Sequence, residues 1–154
     1  MTEQTAAEIE AEVGQIMQGL YDAVSKADLQ PWMATVHDPS GQWLLGMDVV
    51  NLREASEELV AAWTSKGESQ LERQEIDDLE IRVVTVSPTV AYALCTSPDR
   101  GWYFVNGKVD RASTAETWVF VLTDDGWKLH FGQSSLFPIE DETFTGLLTQ
   151  ALGE

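Results

Sequence analysis

The sequence predicts an α+β fold in which helices pack against one face of an antiparallel sheet. Three observations carry that expectation. Apolar residues recur every three or four positions in the first third of the chain, they alternate from Leu71 onward, and turn-forming pairs cut the alternating part into hairpins. Helices first and a strand meander after them is an α+β order. The 154 residues are read as one domain, 1–154, long enough to bury about 70% of its unfolded surface without disulfide staples.

The elements follow in order. Residues 6–25 place Ile9, Val13, Ile16, Met17, Leu20 and Val24 on one face of a long helix. Glu3, Glu8, Glu10 and Glu12 crowd its N-terminal half, where the helix dipole favours negative charge. Asp28 can cap a short second helix carrying Leu29, Trp32, Met33 and Val36, with Pro31 tolerated in its first turn. The cluster His37-Asp38-Pro39-Ser40-Gly41 ends it. Trp43 to Val50 reads as a strand interrupted by Gly46 and Asp48. A third helix is expected over 53–65, with Ala55, Leu59, Ala62 and Trp63 inward and Gly67 ending it.

Leu79, Ile81 and Val83 alternate in the next stretch, and Ser87-Pro88 turns the chain into Val90, Tyr92 and Leu94. Ser97-Pro98-Asp99-Arg100-Gly101 breaks or bulges that strand before Trp102 to Val105 resumes it. Asn106-Gly107 and Asp125-Gly126 are hairpin turns, because both pairs tolerate positive φ. The strands they join run over 108–123 and from Trp127 to Ser135. A last helix over 141–152 is expected from Phe144, Leu147, Leu148 and Leu152.

Twenty-six acidic residues against nine basic ones give a net charge of −17. That excludes phosphate-backbone binding as a main role, since nucleic-acid affinity draws on Lys and Arg. It equally disfavours anionic membrane surfaces. No apolar run reaches the roughly 20 residues of a membrane span, and Met1-Thr2-Glu3-Gln4 lacks the pattern of a signal peptide. The expected location is therefore cytoplasmic, without nucleic-acid or membrane partners. The single cysteine, Cys95, sits in an apolar run and reads as a small buried hydrophobe. Phosphate loops, zinc-protease motifs and nucleophile elbows are absent from the sequence.

The hairpin Glu116–Ser135, with Thr117-Trp118-Val119-Phe120, Asp125-Gly126-Trp127 and Lys128-Leu129, resembles the last hairpin of the nuclear transport factor 2-like superfamily. It is most similar to the SnoaL-like (polyketide cyclase) and ketosteroid-isomerase-like branches. Tyr21 to Asp28, the helix after Val50, and Val83 to Tyr92 extend the similarity. The resemblance implies a cone-shaped α+β roll whose curved sheet wraps the first helix and encloses a pocket. It implies a small hydrophobic ligand, acid–base chemistry of isomerase, cyclase, dehydratase or epoxide-hydrolase type without metal or organic cofactor, and a homodimer. The rival reading is a non-catalytic association domain.

Asp48 is the first candidate for a proton-transfer group. A carboxylate among Trp43, Leu44, Leu45, Met47, Val49 and Val50 would have its pKa raised by burial. Relatives place a base in this part of the fold. The alternative is a strand-end Asp facing water or capping the next helix. Asp38 is the second candidate, in an Asp-Pro turn similar to the base-carrying turn of steroid isomerases, and such turns are also ordinary. The position that holds the second acid of those enzymes corresponds to Ala115, flanked by Glu116. Gln133 and Ser135 stand where many relatives have a histidine and a serine, and they share strand parity with Trp127, Leu129 and Phe131. Tyr21, Trp32, Trp43 and Trp118 lie on elements that line the cone in relatives. The ligand-binding set is thus Tyr21, Trp32, Trp43, Trp118, Phe131, Gln133 and Ser135. Asp110-Arg111 resembles the Asp/Arg pair of epoxide hydrolases of this fold, or else is a surface ion pair.

Overall fold

The computed structural model describes residues 2–37 and 39–139. Asp38 and the helix expected at 141–152 lie outside them. The described elements are α1 (Ala6–Ser25), α2 (Gln30–Thr35), β1 (Gln42–Leu45), β2 (Asp48–Asn51), α3 (Leu52–Thr64), β3 (Leu71–Asp77), β4 (Glu80–Ser87), β5 (Val90–Phe104), β6 (Val109–Thr123) and β7 (Gly126–Pro138).

A reciprocal cap starts α1. The Thr5 hydroxyl accepts from the Glu8 amide, and the Glu8 carboxylate accepts from the Thr5 amide at 2.7 Å. Those bonds hold the Glu8 carboxyl below its ordinary pKa. Asp28 accepts from the Gln30 amide at 3.2 Å, one residue outside the expected capping position, so Leu29 precedes α2 without a side-chain cap. Asn51 caps α3 by accepting from the Glu54 amide at 3.0 Å. The stretch read as one strand from Trp43 to Val50 is instead a hairpin, because Gly46 (φ +60°) reverses the chain between β1 and β2.

The strands form one sheet in the order β2-β1-β7-β6-β5-β3, with β4 beside the first half of β5 and β3 beside its second half. All pairings are antiparallel except β1 with β7. The sheet curls around α1 into a cone-shaped α+β roll. Ile9, Val13, Met17 and Leu20 of α1 pack with Ala91, Ala93, Cys95, Trp118, Phe120 and Leu129 of the inner sheet face.

Two register shifts, one on each side of β6, set which side chains face inward. Along β5, Ser97 pairs with Thr114 but Arg100 pairs with Ala112, so β5 carries one extra residue. Its inward set changes from Ala91, Ala93, Cys95 and Ser97 to Arg100, Trp102 and Phe104. Along β7, Leu129 pairs with Phe120 and Phe131 with Val119, leaving His130 as the extra residue. The inward set there changes from Trp127 and Leu129 to Gly132, Ser134 and Leu136.

Candidate functional site

The wide end of the cone holds a cavity of about 850 Å³ between α1, α2, α3, the β1–β2 hairpin and the inner faces of β5, β6 and β7. Five of the six tryptophans line it: Trp32, Trp43, Trp63, Trp102 and Trp118. Trp32 stands edge-on to Trp118 with centroids 4.7 Å apart, and Trp43 lies 5.7 Å from Trp118 on another side. Trp32 Nε1 donates to the buried Ser56 hydroxyl at 3.0 Å, which ties α2 to α3. Such aromatic walls with few polar groups suit a small apolar ligand.

One polar cluster interrupts the apolar wall, and its centre is Glu116. The Glu116 side chain is only 10% exposed. Its Oε1 accepts from Tyr21 Oη at 2.9 Å and from Arg100 Nη1 at 2.8 Å, while its Oε2 accepts from Ser134 Oγ at 2.7 Å. Trp43 Nε1 donates to the Ser134 hydroxyl at 3.0 Å, and Arg100 Nε donates to Gln74 Oε1 at 2.9 Å. The Arg100 guanidinium also lies 5.0 Å from the Trp102 ring and 5.7 Å from the Tyr21 ring. Burying an ion pair is costly unless its remaining hydrogen-bonding capacity is met, and the ring of hydroxyls and amide here does much of that. The two bulges make the cluster possible, since each turns a residue, Arg100 or Ser134, to the face that Glu116 occupies.

Burial, then the neighbouring Glu116 charge, holds the Tyr21 phenol well above its ordinary pKa, so Tyr21 stays a donor. Burial likewise pushes the Cys95 thiol up to about 12, which makes it inert. Among the described residues no group of three or more His, Cys, Asp and Glu side chains could hold a metal ion. No described helix is long and apolar enough to cross a membrane.

Four of the residues expected at the site come together there: Tyr21, Trp32, Trp43 and Trp118 all line the cavity. Phe131, Gln133 and Ser135 do not, because the bulge at His130 turns them to the outer sheet face. Gln133 Nε2 donates to Ser135 Oγ on that face. Asp48 is also displaced from its expected place. It is exposed at the tip-side end of β2, not buried among its apolar neighbours, so the reason for choosing it is absent. Asp110 and Arg111 reach the cavity rim, where Asp110 pairs with Lys108 at 3.3 Å and Arg111 with Asp99.

Three side chains of this polar cluster were not among the expected site residues. Glu116 alternates with Trp118 and Phe120, a carboxylate in an otherwise aromatic inward set, and that was its signal. Arg100 was hidden in a breaker cluster and Ser134 by the parity change.

A family model of the SnoaL-like domain matches residues 13–140. No curated protein sequence matches the chain. Among solved structures, a putative aromatic ring hydroxylase from Novosphingobium aromaticivorans superposes with a TM-score of 0.70 at 12% identity, covering 86% of this chain and 92% of its own. A ketosteroid isomerase-like protein from Erwinia carotovora atroseptica gives 0.65 at 19% identity, covering 84% and 96%. A putative dehydratase of the nuclear transport factor 2-like family from Streptomyces avermitilis gives 0.61 at 18% identity, covering 83% and 95%. At these identities the likeness is one of fold. With the family model spanning most of its length, the chain belongs to the SnoaL-like domain family of the nuclear transport factor 2-like superfamily.

Proposed function

We propose that this protein binds a small, largely apolar molecule in the cone and converts it by proton transfer, with Glu116 as the proton acceptor. The observation that supports this most is a buried, oriented carboxylate on the wall of an open aromatic cavity. A buried charge on a cavity wall favours this reading over an association module. A carboxylate offers about four lone-pair sites, and three of those on Glu116 are filled, which leaves one on Oε2. The three donors fix that oxygen in place before any ligand arrives, and such preorganisation is what electrostatic catalysis requires. Tyr21, kept protonated, and Ser134 then sit beside the reacting proton as hydrogen-bonding partners of the carboxylate.

The relatives named above for hydroxylation, isomerisation and dehydration support a small-molecule role. Glu116 takes over the part that the sequence suggested for Asp48. Acid–base catalysis by one positioned group contributes about 10²–10⁴-fold. Native mass spectrometry of the purified protein, followed by turnover of whatever molecule is released, tests the proposal. Glu116→Gln is expected to keep ligand binding and lower turnover by at least about 10². Full activity in a folded Glu116→Gln variant would sink the assignment.

A further inference from the structure

Gln74 stands behind the polar cluster, and its hydrogen bonding is one-sided. It is only 3% exposed and does not line the cavity. Its place on β3, opposite Trp102 on β5, brings its Oε1 within 2.9 Å of Arg100 Nε. Its Nε2 is buried with no partner. Buried donors are rarely left unpaired in folded proteins, so each such group calls for a reason. An apolar side chain of the same length would fill this position without stranding an amide. The reason therefore lies in what Oε1 does to Arg100.

An arginine beside a carboxylate frequently gives two parallel N–H bonds, one to each oxygen. Here Arg100 gives Glu116 one bond, from Nη1 to Oε1 at 2.8 Å, while Gln74 holds Nε and with it the plane of the guanidinium. The difference bears on whether Glu116 can take a proton. Tyr21 and Arg100 fill the two lone-pair sites of Oε1, and Ser134 fills one of the two on Oε2. A second bond from Arg100 would close the last site. We propose that Gln74 is a positioning residue, which keeps Arg100 from forking onto Glu116 and so leaves one oxygen lone pair of Glu116 open to substrate. This rests on the reading of Glu116 as the proton acceptor and says what holds that acceptor ready.

The probe for the test is 5-nitrobenzisoxazole, a flat and largely apolar ring system. A base that removes its C3 proton breaks the ring N–O bond, forms a nitrile and releases a coloured nitrophenolate. The proton stays on the base and then passes to water. Glu116→Gln identifies the part of this turnover that belongs to Glu116. Gln74→Met is expected to lower that part by at least about tenfold, within the range of one acid–base group. The loss should fall on kcat with KM kept, because Gln74 does not line the cavity. Lysine has no planar fork to turn onto a carboxylate. In the Arg100→Lys background, Gln74→Met should therefore change turnover by a factor of about one. The crystal structure of Gln74→Met should show Arg100 donating to both Glu116 oxygens; a single bond kept there overturns the proposal whether or not the probe reacts. Equal losses in both backgrounds, or full turnover by Gln74→Met, overturn it too and leave Glu116 as the acceptor. Absence of any turnover that depends on Glu116 removes the acceptor itself, and the positioning role falls with it. Gln74→Leu carries the same comparisons if Gln74→Met fails to fold.

Discussion

The ring of Trp118 on β6 fills the space where its cross-strand partner on β7, Gly132, would carry a side chain. A methyl group at 132 would overlap Cζ3 and Cε3 of that ring. Trp118 is fully buried between Trp32 and Trp43 and cannot give way without moving both. Gly132→Ala should therefore cost at least about 1–3 kcal/mol, the usual penalty of overpacking, and should disturb the cavity floor. Gly101→Ala meets only the edge of the half-buried Tyr103 ring and should cost less. Urea denaturation of the two variants checks the order; equal losses would mean that Trp118 has room to shift.

Arg100 and Glu116 should be energetically coupled. Both side chains are about nine-tenths buried, so breaking the pair from one side strands a charge. Removing one partner of such a pair costs about 3–5 kcal/mol, whereas removing both can be close to neutral. Arg100→Met and Glu116→Gln should each destabilise strongly, and the double variant should be more stable than the sum of the two losses predicts. A thermodynamic cycle from denaturation curves measures the difference. Strict additivity would show that the bond at 2.8 Å contributes nothing beyond its surroundings.

Alkaline solution should weaken the fold before it weakens the surface. Burial holds Cys95 protonated up to about 12 and keeps Tyr21 protonated well above its ordinary value. In the unfolded chain the same groups ionise near about 8.5 and 10. The folded pKa values are the higher ones, so the stabilisation is complete below about pH 8.5 and is lost as pH rises toward 12. Unfolding free energy measured from pH 8 to 11.5 should fall, and Cys95→Ala should flatten the first part of the fall. A native thiol at pH 8 should also resist a disulfide reagent such as Ellman's. Rapid labelling would contradict its burial.

Much of the fold was legible because one period dominated each segment. The spacing of Ile9, Val13, Met17 and Leu20 fixed α1 to the residue, and the pairs Asn106-Gly107 and Asp125-Gly126, whose glycines alone have positive φ, marked two hairpins. The site was less legible, and the reason is physical. Along β6 both alternating sets are apolar, Trp118 and Phe120 on one side and Val119 and Val121 on the other, so alternation does not choose the inner face. The bulge at His130 has no signature in composition, yet it exchanges Gln133 and Ser135 for Ser134. At Arg100 the break or bulge expected over 97–101 is a bulge, and it turns the residue into the wall of the cavity. Asp48 failed for a different reason, since apolar neighbours in sequence bury a side chain only if the strand itself is covered, and β2 is an edge.

The outer face of the sheet should be a homodimer interface. Tyr92, Val119 and Phe131 stand in one row across β5, β6 and β7, directly opposite one another in the two registers. Val90 and Val121 form the adjoining pair, and Leu94 on the next row is 40% exposed. All of these lie on the side away from α1, where the described residues provide no covering layer. A contiguous apolar surface of this kind marks an association site on a protein that stays in solution. The strong net negative charge opposes self-association, so the apolar contact must outweigh repulsion that salt will screen. Sedimentation velocity at about 10 µM protein should show a dimer, with dissociation increasing at low ionic strength. Val119→Lys puts a charge at the centre of the row and should give a folded monomer. An unmodified protein that sediments as a monomer at both high and low salt would rule the interface out.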